Sequence, residues 1–150
     1  MDVKLDDKDK KILAVLHDHA DYPTRMIAKA TALPITTVHN RIQKLKKSGI
    51  IRKYTVELDN SKTGRNFVAY VLVSASLELL KQKHKTQYDM INEIKKFYFV
   101  ERVDVVTGGT DLVVIMRVSD VTEFDKCLLT KLQQVEGVEK TQSLIVIHEK

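Results

Sequence analysis

Residues 31–50, "TALPITTVHNRIQKLKKSGI", combine an apolar stripe with an opposite side made only of hydroxyls, amides and cations. Pro34 disfavours helical geometry at Leu33, so the helical pattern starts near Ile35 and runs to Lys47, where Ser48-Gly49 supplies an exit. On a wheel of about 100° per residue, Ile35, Val38, Ile42 and Leu45 share one side. Thr36, Asn40, Gln43, Lys44 and Lys47 fall opposite, with Thr37 beside them and His39 and Arg41 on the flanks. A solvated face would tolerate glutamate equally well. From Arg25 to Lys53 there are eight basic residues and no acid, which favours an anionic partner.

The flanking segments give that helix a setting. "LDDKDKKILAVLHDHA" predicts a first helix with Asp6 as N-cap, Asp7 and Asp9 against the positive end of the dipole, and Leu5 stapling the entry. After "DYP", Thr24 is expected to cap a short second helix whose Met26, Ile27 and Ala30 face inward. Beyond Gly49, "IIRKYTVELDNSKTG" alternates and turns at Asp59-Asn60, as an extended segment or small hairpin. Three helices and a β-wing make a winged helix-turn-helix. In that geometry the third helix docks in the major groove, its N-terminal residues nearest the bases. Thr36, Thr37 and Asn40 are therefore candidates for groove contacts, and Arg25, Arg41 and Lys44 for phosphate. His39 suits a contact, packing or solvent equally.

From Arg65 the pattern changes. "NFVAYVLVSAS" is a nearly continuous apolar strand, suited to a sheet covered on both faces. A helix follows with Tyr88, Ile91, Ile94 and Phe97 in phase; "VERVDVVT" and "DLVVIMRV" then flank a "GGT" turn, read as joining the central two strands. A last helix buries Val121, Phe124, Cys127, Leu128 and Leu132, and "VEKTQSLIVIHE" closes as a strand. The order βαββαβ is ferredoxin-like, with two helices on one face of a four-stranded antiparallel sheet. A second copy is the simplest cover for the other face. The expected class is α+β, with a DNA-binding winged helix-turn-helix at 1–60 and a ferredoxin-like domain at 61–150.

In "LDDKDKKIL", "TTVHNRIQKLKKSGIIRKYTVELD" and "VVTGGTDLVV" the chain resembles the Lrp/AsnC family of bacterial and archaeal transcription regulators, nearly end to end and in the same order. The resemblance implies a C-terminal effector-sensing domain (RAM, similar to ACT domains). It further implies homodimers formed through its sheets, assembly to tetramers or octamers, and in some members a free amino acid bound between subunits. The family's ligand-responsive loop matches Gly108 and Asp111. The segment around Val135 and Gly137 would come from the neighbouring subunit. Bare loop amides suit a carboxylate and Asp111 an ammonium, although glycine turn geometry and turn-amide satisfaction would explain the same residues. Asp104 hints at a basic effector. Two departures stand out: Ala32 replaces a frequent turn glycine, and Pro34 a frequent serine cap, with slight strain at most expected.

Other classes find little support. No P-loop, dinucleotide fingerprint or HExxH motif appears, Cys127 lies on an apolar stripe, and His17 and His19 point about 200° apart, poorly placed for chelation. No enzyme, metal or cofactor is expected beyond an amino-acid effector. An apolar run of bilayer length is lacking and the charged start is no signal peptide, so the expected location is cytoplasmic, with no membrane partner. A chromatin-like architectural protein without effector is the alternative. Salt slopes on cognate and random DNA separate the two. A sensor subunit docking on an enzyme would leave residues 1–60 without a role.

Overall fold

The computed structural model describes residues 4–148 and divides into two compact units, the first ending at Glu57 and the second starting at Leu58.

In the first unit, α1 (Asp7–Asp18) begins with a reciprocal cap. The Asp9 N–H donates to Asp6 Oδ1 at 2.9 Å and the Asp6 N–H to Asp9 Oδ2 at 3.2 Å. Helix α2 (Thr24–Thr31) differs from expectation at its start and in its buried face. Pro23 holds the cap position and Thr24 is already helical, because proline's fixed φ is compatible with the entry and no side-chain cap is formed. Its buried face is Ile27, Ala28 and Thr31, whereas Met26 and Ala30 face solvent. Ala32 closes α2 in the left-handed region, φ 54° and ψ 36°, while the Leu33 N–H reaches back to the Ala28 carbonyl at 3.1 Å.

Helix α3 (Ile35–Lys47) then starts directly after Pro34 and ends at Ser48, with Gly49 at φ 75°. Val38, Ile42 and Leu45 pack with Ile12, Leu16, Ile27 and Ala28 in one small core. Ile35 does not join them: at 55% exposure it lies outside the stripe to which periodicity assigned it. Beyond α3 the chain carries neither helix nor strand pairing from Arg52 to Asp59. In place of the expected turn at Asp59-Asn60 stands a single helical turn, α4 (Asn60–Thr63), because the Asp59 carboxylate accepts the Ser61 N–H at 3.1 Å.

The second unit is built on a four-stranded antiparallel sheet in the order β2-β3-β1-β4, from β1 (Phe67–Ala75), β2 (Val100–Val105), β3 (Leu112–Val118) and β4 (Val138–Ile145). The hairpin at 106–111 therefore joins edge strand β2 to central strand β3, and the two central strands are β3 and β1. Helices α5 (Leu77–Gln82) and α6 (Gln87–Ile94) form the first crossover; α7 (Val121–Thr130) and a 3-10 turn (Leu132–Gln134) form the second. The six residues of α5, capped by Ser76, carry no periodic pattern long enough to announce them.

Strand alternation sorts the sheet into two faces. Ala69, Val71, Val73, Leu112, Val114, Met116 and Val118 are fully buried beneath the helices, with Met90, Ile94, Phe124, Cys127 and Leu132. Tyr88 and Val121 are exposed instead, and each lies in the first turn of its helix. The other face carries Tyr70, Leu72, Val113, Ile115 and Leu144 in register, all partly or largely open to solvent. Continuous apolar content in β1 thus reflects a sheet covered on one side within this chain.

Candidate DNA interface and effector loop

The outward side of α3 follows from its inward side. With Val38, Ile42 and Leu45 fixed in the core, Thr36, His39, Asn40, Gln43, Lys44 and Lys47 are exposed and Thr37 is half-buried. Arg25, at the start of α2, is exposed too. Six lysines and arginines lie between Arg41 and Lys53 with no acid among them.

Arg41 is the exception on this surface, since its guanidinium already has partners. Nη1 lies 2.7 Å from Asp6 Oδ2 and 2.8 Å from Asp9 Oδ1, in a pocket where the Asp9 side chain is only 5% exposed. The ion pairs join the middle of α3 to the capping box of α1, so two carboxylates serve as cap and clamp together. The Asp9 N–H and the Arg41 guanidinium hold the Asp6 carboxyl below its ordinary value, and Asp9 and Asp6 raise the Arg41 guanidinium. A phosphate would have to compete with both carboxylates for Nη1, which the periodicity of α3 could not disclose. Asp6, Thr37, Asn40, Arg41 and Lys44 line one shallow recess of about 340 Å³. Asp6 is therefore a component of this surface that sequence spacing missed.

A model of the winged helix-turn-helix DNA-binding fold matches residues 5–52, and one of the Lrp/AsnC ligand binding domain matches 70–150. The HTH-type transcriptional regulator FL11 of Pyrococcus horikoshii is 33% identical over 98% of this chain and 92% of its own. The chain belongs to the Lrp/AsnC family. It is a DNA-binding transcriptional regulator of that type. Among solved structures, a Neisseria meningitidis transcriptional regulator in complex with L-Met superposes with a TM-score of 0.87 at 25% identity, covering 97% of this chain and 92% of that one. E. coli AsnC shares the fold at a TM-score of 0.83 and 18% identity, covering 98% and 95%.

In this Lrp/AsnC regulator the residues assigned to an effector have work within their own protomer. The Asp111 carboxylate accepts the Ala75 N–H at 2.8 Å, and the Asp111 N–H donates to the Val73 carbonyl at 3.0 Å, tying the β2–β3 loop to β1. Gly108 has φ 129°, a conformation open to glycine. Val135 is buried in the core. Gly137, at φ 98°, is buried and its carbonyl accepts the Ser76 N–H at 2.9 Å; a Cβ there would lie 2.5 Å from Leu80 Cδ2. Asp104 already receives Arg102 Nε at 2.7 Å.

What the loop does adjoin is a concavity of about 340 Å³ lined by Leu72, Ser74, Gly109, Thr110, Lys140 and Gln142, on the open side of the sheet. Lys140 and Gln142 pair with Ser74 and Leu72 across β4 and β1. That register was invisible without knowing that the last strand lies beside the first. Among the described residues no helix is long and apolar enough to cross a membrane, and no group of three or more His, Cys, Asp or Glu is arranged to hold a metal ion.

Proposed function

We propose that this regulator reads duplex DNA in a sequence-specific way through α3, with Thr36, Thr37, His39 and Asn40 toward base edges and Arg25 and Lys44 on phosphate. Residues 1–60 do this work, and residues 61–150 assemble the homodimer and sense an effector. The observation that carries the reading is the division of α3: Val38, Ile42 and Leu45 lie in the core, and apart from Ile35 the exposed side offers donors, acceptors and cations. Hydroxyls and amides discriminate base edges, whereas lysines add affinity that sequence does not alter. Arg41 enters as the residue that fixes the attitude of α3 on α1 rather than as a free phosphate ligand.

The double substitution Asn40→Ala with Lys44→Ala tests the assignment. Operator affinity should fall by roughly one to three orders of magnitude, from the loss of one bidentate base contact and one phosphate contact. The oligomer should be unchanged. Normal operator binding by that variant would remove α3 from the interface.

For the effector, the reading is a free amino acid at the β2–β3 loop, with Gly108 and Gly109 presenting backbone toward its carboxylate and Asp111 Oδ1 facing its ammonium. Support comes from the family's ligand-binding domain, the L-Met complex of the Neisseria relative, and the polar lining of Ser74, Lys140 and Gln142. Val135 and Gly137 would then shape the site through backbone placement. An architectural protein without effector draws on a different observation, the structural employment of Asp111, Val135 and Gly137. Operator binding that ignores a panel of amino acids selects it. A regulator that works on duplex DNA would act in the cytoplasm, the location expected from the sequence.

A further inference from the structure

We propose that Ile35 reads the 5-methyl group of a thymine in each half-site, which makes it a specificity-determining residue for the DNA recognition assigned to α3 and dependent on that assignment. Helical period puts Ile35 on the inward stripe with Val38, Ile42 and Leu45, yet those three are 0%, 7% and 1% exposed and Ile35 is 55% exposed. The cause is local. The chain leaves α2 through the left-handed Ala32, buries part of Leu33 against the core, and enters α3 at Pro34, so Ile35 is the first helical residue and projects past the cover that α1 and α2 provide. A lone exposed isoleucine is unremarkable on most surfaces. This one stands at the helix end that comes nearest base edges when such a helix enters a major groove, beside exposed Thr36 and half-buried Thr37.

Chemistry narrows what Ile35 can recognise. The thymine methyl is the apolar group that base edges present in the major groove; the remaining groups there are donors and acceptors. An sec-butyl side chain facing a guanine or cytosine edge would strip water from N7, O6 or N4 and return no hydrogen bond, so G·C pairs are disfavoured as thymine is favoured. Branching at Cβ restricts χ1, so little rotamer freedom remains to be lost on docking. Thr36, Thr37 and Asn40 would read polar edges alongside, giving one helix both kinds of readout.

The experiment begins with a duplex enriched from a random-sequence library by the full-length protein, in which each thymine is replaced in turn by uracil. The exchange deletes one methyl and leaves every hydrogen-bonding group in place. In the wild type, one thymine per half-site should lose about fourfold in affinity on replacement, the transfer value of a single methyl group. Ile35→Ala should bind thymine and uracil equally at that position, and Ile35→Val should restore the difference. Should Ile35→Ala fold poorly, the wild-type scan with Ile35→Val still decides. Absence of any methyl-sensitive thymine in the wild type, or persistence of every such sensitivity in Ile35→Ala, overturns the role of Ile35 and leaves α3 as the reading helix. Failure of the library to enrich any sequence removes sequence reading by α3, and Ile35 with it.

Discussion

Ala32 occupies the left-handed region, φ 54°, at the hinge between α2 and α3. An L-residue there suffers contact between Cβ and the following carbonyl, at a cost of roughly 1–2 kcal/mol, which glycine escapes at the expense of greater freedom in the unfolded chain. The position is exposed and Ala32 closes the last turn of α2 through its own N–H to Lys29, 3.4 Å away. Ala32→Gly should therefore stabilise the first unit by about 1 kcal/mol, the strain released less the entropy added. Urea unfolding followed by circular dichroism would register the change as a higher midpoint at constant slope. An unaltered or lower midpoint would mean that the turn holds no strain. Because the same turn sets the entry to α3, the variant also asks whether recognition depends on a stiff hinge.

At the scale of elements, α1 and α3 are joined by the Arg41 pairs to Asp6 and Asp9. The Asp6 carboxyl is held below its unfolded value of 3.8, first by the Asp9 N–H and then by Arg41. A depressed carboxyl contributes stability that is complete above the unfolded pKa and disappears as pH falls through the folded one. Thermal midpoints measured from about pH 7 down to about pH 2.5 should thus drop more steeply for the wild type below roughly pH 4 than for Asp6→Asn. Asparagine keeps the N-cap and discards the charge, so it isolates the clamp from the cap. Parallel profiles for the two proteins would leave Arg41 without an energetic role at Asp6.

Elements also mark how far periodicity reached. The bounds of α3, the N-cap of α1 and the βαββαβ order followed from spacing, caps and turn residues, each a local property. Most of the misplaced apolar residues share one circumstance: Met26, Ile35, Tyr88 and Val121 lie in the first turn of a helix, exposed by 42%, 55%, 75% and 58%, and Ala30, in the last turn of α2, is the exception. An apolar stripe continues to the helix end, but the neighbouring element that covers it stops earlier, and nothing local records where. The clamp at Arg41, the Lys140–Ser74 register and the core positions of Val135 and Gly137 needed tertiary proximity in the same way.

For the whole molecule, the decisive surface is the sheet face that the helices of the second unit leave uncovered. Tyr70, Leu72, Val113, Ile115 and Leu144 form its apolar centre, flanked by the Arg102–Asp104 pair at one side and Lys140 and Gln142 at the other. An apolar centre with a charged margin has the composition of a protein interface, and isologous pairing lets the same patch cover itself. On the proposed reading, two copies of α3 would engage one duplex, and the second engagement would be intramolecular. Such linkage raises apparent affinity by about 10²–10⁴-fold without any added contact. Ile115→Lys places a cation in the middle of that patch and lies far in sequence from α3. The variant should sediment as a monomer, retain the circular dichroism of the native fold, and lose on the order of 10²-fold in operator affinity measured by fluorescence anisotropy. A variant that stayed dimeric, or a monomer that bound the operator as tightly as the wild type, would show that DNA affinity does not arise from pairing through this face.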